Sequence, residues 1–106
     1  MDEPLFRARV TARTKDNGGR THPIAWGYRP DLKFEVDDKG FYMASFVHDQ
    51  DPNESAVSPG ETRELDFVVY FEDAAAKIKP KLSIGSRFTM NEGKHPVADG
   101  VVTKVY

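Results

Sequence analysis

The side chains best suited to acid–base or metal chemistry in this chain are three histidines and the serines and carboxylates around them. His22, His48 and His95 are far apart in the sequence, and none of the five serines lies in a Gly-x-Ser-x-Gly motif. A hydrolytic triad needs its nucleophile, base and acid within hydrogen-bond reach. Metal ligands usually recur at short spacing, and only His48 with Asp49 and Asp51 comes near such a pattern. We therefore predict no catalytic residue and no metal site.

Two further stretches could in principle carry chemistry: Gly18-Gly19 as part of a phosphate loop, and Asp37-Asp38 as a catalytic carboxylate pair. A phosphate loop requires Gly-x-x-x-x-Gly-Lys-Ser/Thr, or Gly-x-Gly-x-x-Gly at the start of a helix, and the sequence contains neither. Gly18-Gly19 is typical of a hairpin turn, in which glycine supplies a positive φ. Asp37-Asp38-Lys39-Gly40 is typical of a tight turn, because Asp side chains bond to nearby backbone. The prediction is a protein that is not an enzyme and has no cofactor.

Residues suited to binding are concentrated in one stretch, KDNGGRTHPIAWGYRP, which covers residues 15–30. Arg20, His22, Tyr28 and Arg29 are the candidate interaction residues. A tyrosine can bury its ring while its hydroxyl finds a partner, and arginine offers a planar fork of hydrogen-bond donors. Pro30 restricts Arg29 to extended geometry, so the Gly-Tyr-Arg-Pro segment is also interpreted as a strand kink.

A second hypothesis is nucleic-acid binding through a basic face on the first strand and the turn that follows it. Its candidate RNA contacts are Arg7, Arg9, Arg13, Lys15 and Arg20. Phosphate contacts of this kind release counterions and make binding strongly dependent on salt.

Length and composition indicate a single cytoplasmic domain over residues 1–106. Of these residues 39% are apolar and 30% are charged, and the chain has no cysteine. No apolar run approaches the roughly 18–20 residues that a spanning helix needs, and the N-terminus lacks the apolar segment of a signal peptide. The absence of cysteine suits a reducing compartment.

The net charge of −2 conceals an uneven distribution along the chain. Residues 1–33 carry a net charge of +3, residues 34–76 carry −9 and residues 77–106 carry +4. An acidic middle between basic ends is not a uniform nucleic-acid face, although folding can bring the ends together on one side.

Period-two alternation of apolar and polar residues predicts several short strands and almost no helix. The clearest case is residues 5–13, where Phe6, Ala8, Val10 and Ala12 alternate with polar side chains. We predict strands at residues 31–36, 41–48, 61–72, 83–91 and 97–106, a loop at 49–60 and a helical turn at 73–77. Short strands separated by turn signals favour an all-β fold, a small antiparallel barrel or sandwich of six or seven strands.

The stretch KDNGGRTHPIAWGYRPDLKF resembles the start of the third, C-terminal β-barrel domain of elongation factor Tu, where Gly-Gly-Arg precedes Gly-Tyr-Arg-Pro. SPGE, at residues 58–61, is similar to the entry into the long central strand of that family. The end of the chain, IGSRFTMNEGKHPVADGVVTKVY, resembles its closing hairpin. The matches occur in the same order over residues 5–106. The resemblance implies a six- or seven-stranded antiparallel barrel.

In this family the GTPase domain, with its phosphate loop and magnesium ligands, precedes the barrel. This chain begins at the first strand of the barrel, so the resemblance implies no GTP site within it. The chain is then either a free-standing barrel, which Met1 favours, or an excised fragment of a translation GTPase.

The resemblance also implies partners: the family's barrel packs on the GTPase domain, contacts the T-stem of aminoacyl-tRNA and meets the nucleotide exchange factor. Arg20 matches a position that contacts the tRNA backbone. Glu35 and Asp37 stand where the family has Arg-Thr-Thr-Asp, and Asp99 lies within the family's Gly-Arg-Thr-Val-Gly-Ala-Gly, so phosphate contacts should be weakened. We therefore predict a non-catalytic module that binds a protein partner, either translation-related or a mimic of elongation factor Tu. The alternative is tRNA or RNA binding near Arg20.

Overall fold

Six antiparallel strands close into a barrel in the computed structural model, which describes residues 3–106 apart from the side chain of Asp38. Around the barrel the strand order is β1-β6-β4-β3-β7-β8, and β2 pairs with β5 in a separate small sheet. The strands are β1 Phe6–Ala12, β2 Ile24–Ala25, β3 Asp31–Phe34, β4 Asp37–Phe46, β5 Ser55–Val57, β6 Thr62–Val69, β7 Arg87–Glu92 and β8 His95–Val105. The helix α1 spans Glu72–Ile78, and short 3₁₀ helices span Lys15–Asn17 and Lys79–Lys81. The predicted all-β barrel is confirmed.

The first strand closes the barrel because it pairs with β6 on one side and with β8 on the other. Its burial alternates strictly, with Phe6, Ala8, Val10 and Ala12 inside and the intervening side chains exposed. Pairing on both sides leaves β1 without a free edge. The alternation predicted from the sequence is confirmed at every position of this strand.

Phenylalanine rings fill the centre of the barrel. Phe6 stacks on Phe67, with centroids 4.9 Å apart and ring planes 8° apart. Phe34 and Phe88 meet Phe6 at 5.8 and 5.6 Å, and Phe46 meets Phe67 edge-on at 5.3 Å. Edge-to-face and offset contacts of this kind add stabilisation beyond the area they bury.

The turn predicted at Asp37–Gly40 lies two residues earlier in the structure, so its predicted position is wrong. The chain reverses at Glu35-Val36, and Asp37 already belongs to β4, opposite Phe34. Asp37 is buried, and its carboxylate accepts a hydrogen bond from the Tyr42 hydroxyl at 2.5 Å and another from the Lys81 ammonium at 3.3 Å. Asp37 is therefore a partnered strand residue rather than an exposed anion that could repel phosphate.

We expect Asp37 to make stability depend on acid. The hydrogen bond from Tyr42, followed by that from Lys81, lowers the pKa of this carboxyl below its ordinary value of 3.8. A group with a depressed folded-state pKa stabilises the fold above its unfolded pKa, and the contribution is lost as the pH falls through the folded-state pKa. Thermal unfolding followed between about pH 6 and pH 2 should show this loss. The melting temperature of Asp37→Asn should be lower than that of wild type at neutral pH and should depend less on pH below about 4. If the melting temperatures of the two proteins fall in parallel as the pH is lowered, Asp37 is not the source of the acid dependence.

The Gly18-Gly19 pair does not form the predicted hairpin, because β1 pairs with β6 and β8 and not with β2. Gly18 instead follows the first 3₁₀ helix with a φ of 85°, and its N–H donates to the carbonyl of Lys15 at 3.1 Å. Gly19 passes so close to Arg13 that any Cβ would collide with the carbonyl of that residue. The positive φ thus favours glycine at Gly18, and the close approach to Arg13 requires it at Gly19.

The loop predicted at residues 49–60 contains β5, which pairs with β2. Ala56 and Val57 are buried beside Ile24, and this burial outweighs the polar composition of the segment. The predicted strand kink at Gly-Tyr-Arg-Pro is also wrong. There the chain turns, with the N–H of Tyr28 donating to the carbonyl of Ala25 at 3.1 Å.

Phe71, just before α1, is the only non-glycine residue with positive φ among those described, at φ 69° and ψ 118°. Its side chain is 73% exposed, so little packing compensates for the strained backbone. Since glycine adopts positive φ without a Cβ clash, Phe71→Gly should raise the free energy of unfolding by about 0.5–1 kcal/mol. Urea denaturation measures this change. A variant less stable than wild type would mean that the Phe71 ring contributes more packing than its exposure indicates.

Candidate functional site

Arg20 and Tyr28, two of the predicted interaction residues, meet at one end of the barrel. The Arg20 guanidinium lies over the Tyr28 ring, 5.0 Å from its centroid, and its Nε lies 3.3 Å from a carboxylate oxygen of Glu92. Glu92 ends β7, just before the turn into β8. The loop after β1 is thereby tied to the closing hairpin of the barrel.

The chemistry of this cluster is that of a fixed contact and not of a nucleophile. Tyr28 is half-buried, and burial, followed by the negative charge of Glu92, raises the pKa of its hydroxyl. The phenol therefore stays protonated at neutral pH and acts as a hydrogen-bonding group. The Arg20 guanidinium already contacts the Tyr28 ring and the Glu92 carboxylate, so a phosphate would have to compete with these two groups for it.

The other two predicted interaction residues lie elsewhere. Arg29 is exposed, and its guanidinium lies over the ring of Tyr70, 5.7 Å from the centroid. His22 is exposed in the loop that leads to β2. Of the four residues predicted together from one stretch of sequence, Arg20 and Tyr28 thus contact each other, whereas Arg29 contacts Tyr70 instead.

The predicted basic face is largely paired with carboxylates. Arg7 lies 2.9 Å from Glu64 on β6, and Arg13 makes two hydrogen bonds to Asp99 on β8, at 2.8 and 2.7 Å. Arg20 pairs with Glu92, as described above. These carboxylates come from distant parts of the chain, so sequence proximity to the cations could not reveal them.

Among the side chains that the structure describes, Arg9 and Lys15 have no ion-pair partner within 4 Å. Arg9 lies opposite Val101 on β8, and Arg87 on β7 lies opposite the same residue. Two cations therefore flank Val101 on the outside of the barrel and remain available for an anion.

Next to these cations lies a shallow groove of about 400 Å³. It is lined by Lys33, Phe34, Glu35, Arg87, Phe88, Thr89, Asp99, Gly100 and Val101. Its charged side chains carry both signs. Among the side chains that the structure describes, which exclude that of Asp38, no group of three His, Asp or Glu residues could hold a metal ion. None of the helices described is long and apolar enough to span a membrane.

A further surface was not predicted from the sequence. Phe41 and Met43 point outward from β4 and are 47% and 44% exposed, whereas the alternate residues Tyr42 and Ala44 are buried. Met43 lies opposite Asp31 on β3, and on its other side the N–H of Tyr70 donates to its carbonyl at 2.9 Å. Phe41 and Met43 therefore occupy water-facing strand positions, where polar residues are normally found.

Two cations complete this surface. The Lys33 ammonium lies 5.9 Å from the centroid of the Phe41 ring, and Arg29 covers Tyr70. We call Arg29, Lys33, Phe41, Met43 and Tyr70 the outer β4 face. The signal in the sequence is the run FYMASF, which is apolar at both phases of the alternation, unlike FRARVTA in β1.

Comparison with known families agrees with this architecture. The sequence model of the family described as elongation factor Tu C-terminal domain matches residues 3–106. The chain belongs to the elongation factor Tu C-terminal domain family. Members of that family are β-barrel modules of translation factors, and the closed six-stranded barrel has the fold expected of one.

Proposed function

We propose that this barrel of the elongation factor Tu C-terminal domain family is a non-catalytic module that binds a protein partner. The observation that carries the proposal is the exposure of Phe41 and Met43 side by side on the outside of β4. Contiguous apolar patches, in contrast to apolar side chains exposed singly, mark interaction sites on folded proteins. Phe, Tyr, Met and Arg, all present on the outer β4 face, are the residue types enriched where proteins meet.

The pairing of the cations supports a protein over RNA as the partner. A polyanion gains affinity when free Lys and Arg side chains replace its counterions, whereas Arg7, Arg13 and Arg20 already have carboxylate partners. Breaking those pairs to reach phosphates would leave the carboxylates facing the polyanion.

A test is capture of partners by the tagged chain from a native lysate, with and without ribonuclease. The proposal predicts that the same protein is retained in both samples and is displaced by untagged chain. Retention that disappears after ribonuclease treatment would contradict it, as would the absence of any displaceable protein.

A second candidate is RNA binding, which the arrangement of Arg9 and Arg87 around Val101 favours. Lys15, on the loop after β1, also has no ion-pair partner among the described side chains, and Arg20 would be free for a phosphate only by leaving Glu92. The dependence of RNA affinity on salt separates this candidate from the first.

A further inference from the structure

We infer that the outer β4 face, formed by Arg29, Lys33, Phe41, Met43 and Tyr70, binds an acidic protein segment that carries apolar anchor residues. This inference rests on the proposed function and specifies the surface and the chemistry of the partner.

The apolar part of the surface is continuous across neighbouring strands. Met43 is paired on its β6 side with Tyr70, as the bond from the Tyr70 N–H to the Met43 carbonyl places them opposite each other. Phe41 lies two residues along the same strand and therefore on the same side of the sheet. Three large side chains thus form one patch into which an apolar anchor can pack. A few well-packed central residues, with Tyr and Arg frequent among them, usually dominate the energy of an interface.

Two cations beside the apolar patch favour acidic residues in the partner. Arg29 and Lys33 lie over the rings of Tyr70 and Phe41, so both cations stand at the rim of the apolar patch. Neither has a carboxylate within ion-pair distance among the side chains that the structure describes. Acidic residues flanking an apolar anchor would meet these two cations, and such complementarity increases both specificity and the rate of association.

Nearby carboxylates favour a protein segment over RNA. Asp31 lies opposite Met43 on β3, and Glu35 follows β3 in the turn next to the exposed Val36. Every phosphate of an RNA strand carries a negative charge, so Asp31 and Glu35 would repel an RNA strand wherever its backbone approaches them. A peptide places its carboxylates only at some positions and can present apolar side chains to Met43.

The test uses the full chain labelled with ¹⁵N and a short synthetic peptide that alternates glutamate with leucine and phenylalanine. A matched peptide has lysine in place of every glutamate, and a short single-stranded RNA is the third probe. The inference predicts that the acidic peptide shifts the amide resonances of the outer β4 face and binds at least about tenfold more tightly than the lysine peptide. Equal binding of the two peptides, shifts centred elsewhere, or tighter binding of the RNA at the same resonances would overturn it.

Variants identify the surface. Met43→Glu and Lys33→Glu should each weaken binding of the acidic peptide by about tenfold or more, since the first places a like charge in the patch and the second reverses a rim cation. Ile84→Ser is the matched control for apolar exposure, because Ile84 is 77% exposed on a separate turn. Lys79→Glu is the control for charge. Equal losses in the controls would overturn the assignment of the surface.

Failure here is distinguishable from failure of the proposed function. If a protein captured by the wild-type chain is captured equally well by Met43→Glu, the outer β4 face is not its docking site, and the proposed function still stands. Loss of that protein in Met43→Glu and its retention in Ile84→Ser, together with preference for the acidic peptide, supports the inference.

Discussion

Replacement of Phe67 by alanine is expected to lower the free energy of unfolding by about 3–5 kcal/mol. Phe67 is fully buried and contacts the rings of Phe6, Phe46 and Phe88 at centroid distances of 4.9, 5.3 and 5.6 Å. Its removal costs the transfer free energy of the ring and leaves a cavity that the closed barrel cannot collapse to fill. Since domains of this size have a total stability of about 5–15 kcal/mol, much of the margin would be lost.

Urea denaturation followed by circular dichroism measures the change for Phe67→Ala. The matched control is Phe41→Ser, which removes a ring that is 47% exposed and should change the free energy of unfolding by no more than about 1 kcal/mol. A cost below about 1 kcal/mol for Phe67→Ala, or equal costs for both variants, would contradict the central position of the Phe67 ring.

The second large effect is expected at Gly100 on β8. A Cβ at this position would lie within 3.0 Å of three atoms of the Phe88 ring. That ring cannot move aside, because it is enclosed by Phe6, Phe34 and Phe67 at 5.4–5.6 Å. Gly100→Ala should therefore cost about 2–3 kcal/mol through overpacking and lower the melting temperature by roughly 10–20 °C.

Gly40→Ala is the control for this effect, because a Cβ at Gly40 would meet no atom within 4 Å. Differential scanning calorimetry of the two variants compares the same chemical change in a filled and in an open environment. If both variants melt at the wild-type temperature, the Phe88 ring does not pack on Gly100 as described.

The local parts of the fold could be predicted from the sequence where one face of a strand is apolar and the other is polar. β1 is the example, because its pattern determines both its conformation and its orientation. The turn at residues 35–36 could not be predicted, because aspartate is a residue type favoured in turns and this preference assigns Asp37 to the turn itself. It lies within a strand because Tyr42 and Lys81 meet its carboxylate, and Lys81 is distant in sequence.

The candidate site was harder to predict for the same physical reason. Arg7, Arg13 and Arg20 form a cationic group when only sequence neighbours are considered, but each meets a carboxylate that the barrel brings from a distant strand. The outer β4 face depends on register: Phe41 and Met43 face outward because Tyr42 and Ala44 take the inward positions. A run that is apolar in both phases leaves that choice to the neighbouring strands.

The central claim, that this barrel is built to bind protein rather than tRNA, is tested most directly by fluorescence anisotropy. Labelled aminoacylated and bare tRNA would each be titrated with the chain at low and at physiological salt. We predict weak binding at low salt that becomes undetectable at physiological salt, with no preference for the aminoacylated form, because most of the basic face is paired with carboxylates. Tight binding that persists at physiological salt, prefers aminoacylated tRNA and is lost in Arg9→Glu would contradict the claim.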